Sequence, residues 1–315
     1  MIINCISSYI PEIVESNEFF TQNFGISEQD IIAKSGILVR RRCSTAENTN
    51  TMAIETVKNL FFNSPVPLNE IDLIIGATYT PYDTIGTLAH AVQKQFDIAN
   101  AKCFTVDSAC SSFVNALEIV DCYFANKKAS KALIVVSENN SAYNDYSDAK
   151  SCFLWGDGAT AIVISNERHS DEDLEVIDIN TTGLGNIGKS IEAIYLHPLN
   201  GGIKMPFGKN VFQFACTYMI QETEQILSKN CISIKQLDYF IPHQANARIT
   251  DFVAKKLKLK PEQILTNIEY CGNTGSASTP IVLSQNWNKF KQNDTIVISV
   301  FGGGYSSGAV LLRKI

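Results

Sequence analysis

The chain has 315 residues, 45% hydrophobic and 18% charged, an ordinary globular composition with room for one large α/β unit or two similar halves. A formal charge of −6 excludes a general nucleic-acid binder, which needs basic surface to displace phosphate counterions. Nine cysteines, an odd number with no C-x-x-C pair and no His/Cys cluster at zinc spacing, argue for reduced thiols and against a disulfide framework or a metal site.

Met1 to Glu12 has no basic n-region and no long apolar run, and no later run approaches the ~20 apolar residues of a membrane span, so a cytoplasmic protein without a span is expected. Ile2 to Ile6 opens the chain, and a mixed polar region closes in Arg40-Arg41-Arg42. Thr51 to Phe62 puts Ala53, Val57, Leu60 and Phe61 on one face of a predicted amphipathic helix. Ile71 to Gly76 is short and β-branched, the signature of a buried strand. A helical stretch from Thr87 to Phe96 leads to the apolar Cys103 to Val106, then to Asp107-Ser108-Ala109-Cys110-Ser111-Ser112 and a helical pattern through Phe113, Ala116, Leu117 and Val120. Lys131 to Ser137 and Ala159 to Ser165 read as two further buried strands.

The second half repeats this order. Asn210 to Ser228 is helical in pattern, Leu237 to Ile241 answers Ile71 to Ile75, Thr295 to Val300 answers the Lys131 strand, and Gly308 to Arg313 answers the Ala159 strand. First and second strands are about 60 residues apart in both halves. The pattern predicts two similar α/β halves, 1–165 and 166–315, with sheets covered on both faces. Two unrelated α/β domains in succession is the competing reading. Residues 166–208, rich first in Asp/Glu and then in Gly, read as an insertion between the halves.

Cys110 stands where a strand or loop hands over to a helix, and the helix N-terminus favours a thiolate there. A lone cysteine is more often a small core residue. His243 lies just past a predicted strand, where ligand sites of open α/β sheets collect; a hydrogen-bonded structural histidine is the plainer alternative. Asn273 sits in a small-residue loop that opens another helix and corresponds in the repeat to the Cys110 turn. An Asn after Gly is also a common turn residue. Pseudo-symmetry brings the two loops face to face.

DSACSS at Cys110, WGDGAT at Trp155 to Thr160, PHQANARI at His243, GNTGSAS at Asn273 and FGGGYSSGAVLLR from Phe301 together resemble the β-ketoacyl-acyl-carrier-protein synthase III group of the thiolase superfamily. The resemblance spans nearly the whole chain, in the family's order. It implies an α/β, thiolase-like five-layered α-β-α-β-α fold of two pseudo-symmetric halves, a homodimer, and a Cys-His-Asn triad at Cys110, His243 and Asn273. Cys110 would take an acyl group from a thioester, and His243 and Asn273 would stabilise the charge that gathers as a malonyl group loses CO2. Backbone N–H groups of Cys110 and Gly303 would form the oxyanion hole, and Ile85 and Phe301 would shape the acyl pocket. This chemistry calls for acyl-CoA or acyl-carrier-protein thioesters as substrates and for neither a metal nor a redox cofactor.

Two departures bear on the substrate. Asp30 and Lys34 stand where the best-known members have a Trp and an Arg that sandwich the adenine of coenzyme A; lysine cannot stack as a guanidinium does, and aspartate repels phosphate. Ile85 replaces a Phe with which the partner subunit closes the acyl pocket, which implies a different starter. Arg248, Lys255 and Lys256, with Lys258 and Lys260, make one basic cluster on an acidic chain. It is either a solvated face or, as the resemblance implies at Arg248, the dock of an acyl-carrier protein. Transfer of the acyl group to an oxygen or nitrogen nucleophile is the second enzyme reading. A non-enzymatic ketosynthase-like subunit would have lost a triad residue, and a papain-like protease would lack the two-half repeat.

Overall fold

The computed structural model describes residues 1–62, 64–199 and 201–315. Its first half contributes β1 (Ile2–Tyr9), β2 (Leu73–Ala77), β3 (Lys102–Val106), β4 (Lys131–Glu138) and β5 (Gly158–Ser165). The second contributes β6 (Leu174–Gly183), β7 (Tyr239–Pro242), β8 (Thr295–Gly302) and β9 (Ser306–Lys314). The hydrogen-bonded order is β7-β8-β9-β6-β1-β5-β4-β2-β3. β-Branched residues pack well on a pleated surface, and every residue of β2, β5 and β8 is buried.

Each half has the same internal pairing. β2 runs parallel to β4, β4 antiparallel to β5 and β5 antiparallel to β1; β7 runs parallel to β8, β8 antiparallel to β9 and β9 antiparallel to β6. Even β3, beside β2, has an answer in a parallel bridge between Phe240 and Ile264. The halves meet edge to edge through β1 and β6 over only two residue pairs, Ile2 with Glu175 and Ile3 with Leu174. The chain is therefore two half-sheets related by repetition.

Helices complete five layers. α1 (Thr49–Phe61) and α2 (Leu88–Phe96) cover the outer face of the first half, where Val57, Leu60 and Val92 pack on Leu133, Val135 and Val163. α3 (Ser112–Ala125) and α6 (Ser278–Gln285) lie between the half-sheets: Phe113, Leu117, Ile281 and Val282 share one core with Ile134 and Val136 of β4 and with Ile296, Ile298 and Val300 of β8. α4 (Gly208–Lys229) and α5 (Ala247–Leu257) cover the second half through Met219, Ile226, Ile249 and Val253 against Val297 and Leu311. The period-two alternation of β4 sends Leu133 and Val135 outward and Ile134 and Val136 inward, so both faces bury apolar residues, each worth about 1.5–3 kcal/mol.

The stretch 166–208 divides. Leu174–Gly183 is a strand of the second half and the counterpart of β1; its mixed polar sequence reflects a half-buried surface, which the search for continuous apolar runs passes over. Residues beyond Gly183 leave the sheet and carry a two-stranded hairpin, Tyr195–Leu196 with Ile203–Lys204.

The strand ends place two loops in contact. After β3 the chain turns through Ala109 in left-handed conformation, φ 50°, and Ser111 and Ser112 donate back to the carbonyls of Ser108 and Ala109 at 3.2 and 3.1 Å. Gly302, at the end of β8, lies against this turn: a Cβ there would stand 2.8 Å from the Ser108 carbonyl oxygen and 3.0 Å from the Ser111 nitrogen. Gly302→Ala should therefore lower stability by ~1–3 kcal/mol, read as a reduced urea midpoint at unchanged slope.

Candidate active site

Cys110 follows the left-handed Ala109 and precedes α3, at 8% exposure. His243 follows β7, its backbone N–H donating to the Ser299 carbonyl at 2.7 Å. Asn273 is fastened to the first half: its N–H donates to the Leu154 carbonyl at 2.8 Å and its carbonyl accepts from Gly156 N–H at 3.0 Å. The three side chains line one small chamber together with Phe301, Gly302 and Gly303. Sequence reasoning places these residues on facing loops, and the structure brings them together.

The local bonds define what each can do. Asn273 Oδ1 accepts from Gly275 N–H at 3.0 Å, which leaves Nδ2 as the donor the side chain has to offer. His243 Nδ1 pairs with the Ser278 hydroxyl at 2.8 Å. Burial pulls the His243 pKa down to about 4, so the imidazole is neutral at neutral pH.

Cys110 departs from the thiolate that its place before a helix suggests. Burial pushes its pKa up to about 12, and the Glu138 carboxylate adds to the rise. Desolvation of a buried anion outweighs the partial charge of the helix end. The resting pair is a neutral thiol and a neutral imidazole.

Glu138, fully buried at the end of β4, collects donors from both halves: Thr78 Oγ1 at 3.1 Å, Thr80 N at 3.2 Å, Thr80 Oγ1 at 2.5 Å, Tyr79 N at 3.3 Å and the Ser276 hydroxyl. Desolvation raises its pKa to about 8 while these bonds oppose the rise. Two of these partners are backbone N–H groups and three are hydroxyls that can donate or accept, so the set can hold the carboxyl with or without its proton.

Two cavities adjoin the triad chamber. One, about 340 Å³, shares Cys110, Trp155, Ile194 and Gly303 with it and is walled by Tyr79, Pro81, Leu196 and Pro198. The other, about 380 Å³, shares Met205 with the chamber and gathers Lys34, Lys150, Lys209 and Arg248 around Phe153 and Phe212. The arrangement is a basic mouth, a small, mostly apolar chamber into which the thiol, imidazole and carboxamide project, and a larger apolar pocket beside it. Such a channel suits a long flexible substrate with an anionic head and an apolar tail.

Other sequence-predicted residues lie as follows. Phe301 lines the triad chamber and not the larger apolar pocket. Ile85 is 89% exposed and lines neither cavity of its own chain. Arg248 lines the basic mouth, whereas Lys255 and Lys256, at the far end of α5, are exposed and do not. Lys34 reaches the mouth although Asp30 pairs with it at 3.5 Å, an exposed pair of small energetic weight. Tyr79, Glu138, Lys150, Lys209 and Ser278 were not singled out in the sequence. Glu138 left one sign, a carboxylate closing the apolar run KALIVVS; the two lysines are isolated in sequence and left none.

Comparisons with known proteins agree with this geometry. The family model described as 3-oxoacyl-[acyl-carrier-protein (ACP)] synthase III matches residues 104–183, and its C-terminal companion matches 227–314. The structure aligns with 3-oxoacyl-[acyl-carrier-protein] synthase III from Aquifex aeolicus at a TM-score of 0.91 and 31% identity, covering 99% of both chains. It aligns with the β-ketoacyl-[acyl carrier protein] synthase III from Thermus thermophilus at a TM-score of 0.92 and 27% identity, covering 99% and 98%. Fold and channel thus define a condensing enzyme of thiolase type. A β-ketoacyl-[acyl-carrier-protein] synthase III of Clostridium botulinum, strain Okra, is 34% identical over 316 residues, 97% of this chain and 96% of that one. The chain belongs to the 3-oxoacyl-[acyl-carrier-protein] synthase III family.

A neutral resting thiol has a kinetic signature. Alkylation of Cys110 by iodoacetamide should rise about tenfold per pH unit from pH 7 to 9 with no plateau on the acid side; a thiolate–imidazolium pair would give a plateau reaching below pH 6.

Proposed function

We propose that the protein is a transferase of the 3-oxoacyl-acyl-carrier-protein synthase III type, joining an acyl starter carried on Cys110 to malonyl-acyl-carrier protein with loss of CO2. The observation that carries this reading is the convergence of Cys110, His243 and Asn273 on one chamber between a cationic mouth and an apolar pocket.

In the acylation step the Cys110 sulfur attacks the thioester carbonyl while its proton passes to His243 Nε2. The tetrahedral oxyanion rests on the N–H groups of Cys110 and Gly303, and the departing thiol takes the proton from His243. The Ser278 hydroxyl can donate or accept, so it supports the imidazole with its proton on either nitrogen. In the condensation step Nε2–H of His243 and Nδ2–H of Asn273 donate to the malonyl thioester oxygen. The electrons of the breaking C–C bond enter an enolate as CO2 leaves, its carbon attacks the acyl carbonyl, and Cys110 departs and is reprotonated. A well-placed donor to such an oxyanion is worth about 3–4 kcal/mol. The proton that restores the Cys110 thiol comes from solvent, the one proton the overall condensation consumes, and no electrons are gained or lost, so the cycle needs neither a metal nor a redox cofactor.

Lys34, Lys150, Lys209 and Arg248 suit the phosphate of a carrier-bound or CoA-bound pantetheine arm. The acidic carrier itself would dock on the α5 face that presents Arg248, Lys255 and Lys256. Tyr82 and Ile85, exposed at 67% and 89% just beyond Pro81 of the apolar pocket, support a homodimer in which each copy helps close the other's pocket. We place the enzyme in the cytoplasm, in fatty-acid initiation or a related lipid or polyketide pathway.

Incubation with a panel of acyl-CoA and acyl-carrier thioesters should add one acyl mass to the wild type and none to Cys110→Ala; an adduct retained on that variant overturns the assignment. Asn273→Ala should still acylate while β-ketoacyl product formation from malonyl-carrier protein falls about 10²-fold or more. An acyl group recovered on an added alcohol or amine, without CO2 release, would instead support simple acyl transfer. Arg248→Glu should raise KM for carrier substrates at low salt, with the difference shrinking as salt screens it.

A further inference from the structure

Tyr79 has no part in the cycle above, yet its phenol is closely specified beside the Cys110 sulfur. Both residues line the apolar pocket. Tyr79 Oη donates to Asn140 Oδ1 at 2.7 Å. The Asn140 amide nitrogen is itself committed, to the Gly156 carbonyl at 2.7 Å and the Asn273 carbonyl at 3.3 Å, so its oxygen is the atom that faces Tyr79. On another side stands the bare backbone of Gly275, at φ 58°: a Cβ there would lie 2.3 Å from Oη and 2.8 Å from Cε1 and Cζ. The phenol fills the space that any other residue at 275 would occupy. The Tyr79 backbone N–H is tied to Glu138, and Tyr79 and Cys110 share one wall of the pocket, where burial raises the pKa of the thiol and the phenol lowers it.

A phenol has one proton to give. In the resting site it lies on Asn140. When the thiol proton leaves, rotation about the C–O bond can swing the O–H from Asn140 to the sulfur, exchanging a neutral hydrogen bond for a charge-assisted one. The need is plain from the surroundings. The ionisable groups lining the two cavities with Cys110 are Tyr79, Asp107, Tyr195 and His243, with Glu138 behind Tyr79; none of these is a lysine or arginine. Both carboxylates oppose a negative sulfur.

We infer that Tyr79 is a further catalytic residue, one whose hydroxyl donates to the Cys110 thiolate when it forms for attack and again when condensation expels it. Asn140 and Gly275 are its positioning residues, the first parking the proton and the second supplying room. The inference rests on Cys110 being the nucleophile, and the experiment separates the two.

Iodoacetamide alkylation of the full-length protein, followed by peptide mass mapping from pH 7 to 9, reads Cys110 against the exposed Cys122 and Cys231 in the same molecules. Tyr79→Phe should slow Cys110 about threefold to tenfold relative to those standards at each pH, the higher intrinsic nucleophilicity of a higher-pKa thiolate offsetting part of the lost stabilisation. Gly275→Ala, by expelling the phenol, should act in the same direction. An unchanged or faster Cys110 ratio in Tyr79→Phe overturns the role of Tyr79. Failure of the nucleophile assignment looks different: wild-type Cys110 would then take no acyl group from any thioester.

Discussion

The contact on which the site depends is between two strand ends that the chain places some two hundred residues apart. Gly302 ends β8 directly against the Ser108 carbonyl and the Ser111 nitrogen of the nucleophile turn. Backbone meets backbone there, and no side chain intervenes to let the loops drift. Ser306, at the start of β9, adds a hydroxyl that pairs with Ser111 and donates to the Ser108 carbonyl at 3.2 Å. Gly303 is the next residue, and it lines the chamber beside Cys110. The repeat matters for this reason: two half-sheets built alike end alike, and their loops meet across the core shared by α3 and α6.

The second tie is electrostatic. Glu138 draws the loop after β2 and the Ser276 turn onto one buried carboxylate, so it braces the Tyr79 side of the pocket and the Asn273 loop together. A buried carboxyl with this many hydrogen-bond partners is held in one geometry, since each partner left without it would be an unsatisfied buried group. The same group adds to the burial that keeps the Cys110 thiol protonated.

Much of the architecture was legible because burial writes itself into sequence. β4, β5, β8 and β9 are nearly continuous apolar runs, and their order in each half disclosed the repeat before any contact was known. β6 was not legible: its sequence LEVIDINTTG alternates, and residues 174–183 read as part of an insertion. The triad was readable from position, since each member follows a strand end or opens a helix, and from the motifs around it. The protonation state of Cys110 was not, because a helix end is visible in sequence while the depth of burial and a carboxylate from another strand are not. Lys150 and Lys209 fall in the same class, two isolated cations that only the fold carries to Arg248.

The neutrality of His243 bears on how one small chamber could serve both steps of the proposed cycle. A thiolate–imidazolium pair holds the same protons as a thiol beside an imidazole and would lose the same one to the departing thiol, so it is burial that keeps the imidazole uncharged before condensation. In that cycle the proton of Cys110 leaves with the departing thiol, and acylation ends with an uncharged thioester beside an uncharged imidazole. Burial that holds the His243 pKa near 4 keeps the imidazole neutral while Nδ1 pairs with the Ser278 hydroxyl at 2.8 Å, which in the proposed cycle leaves Nε2–H for the malonyl oxygen. On the thioester groups and the sulfur, negative charge would then appear only transiently, as an oxyanion, an enolate or a leaving thiolate. Fixed donors act most strongly on such short-lived charge, because water that would otherwise solvate it is excluded from a site this deeply buried.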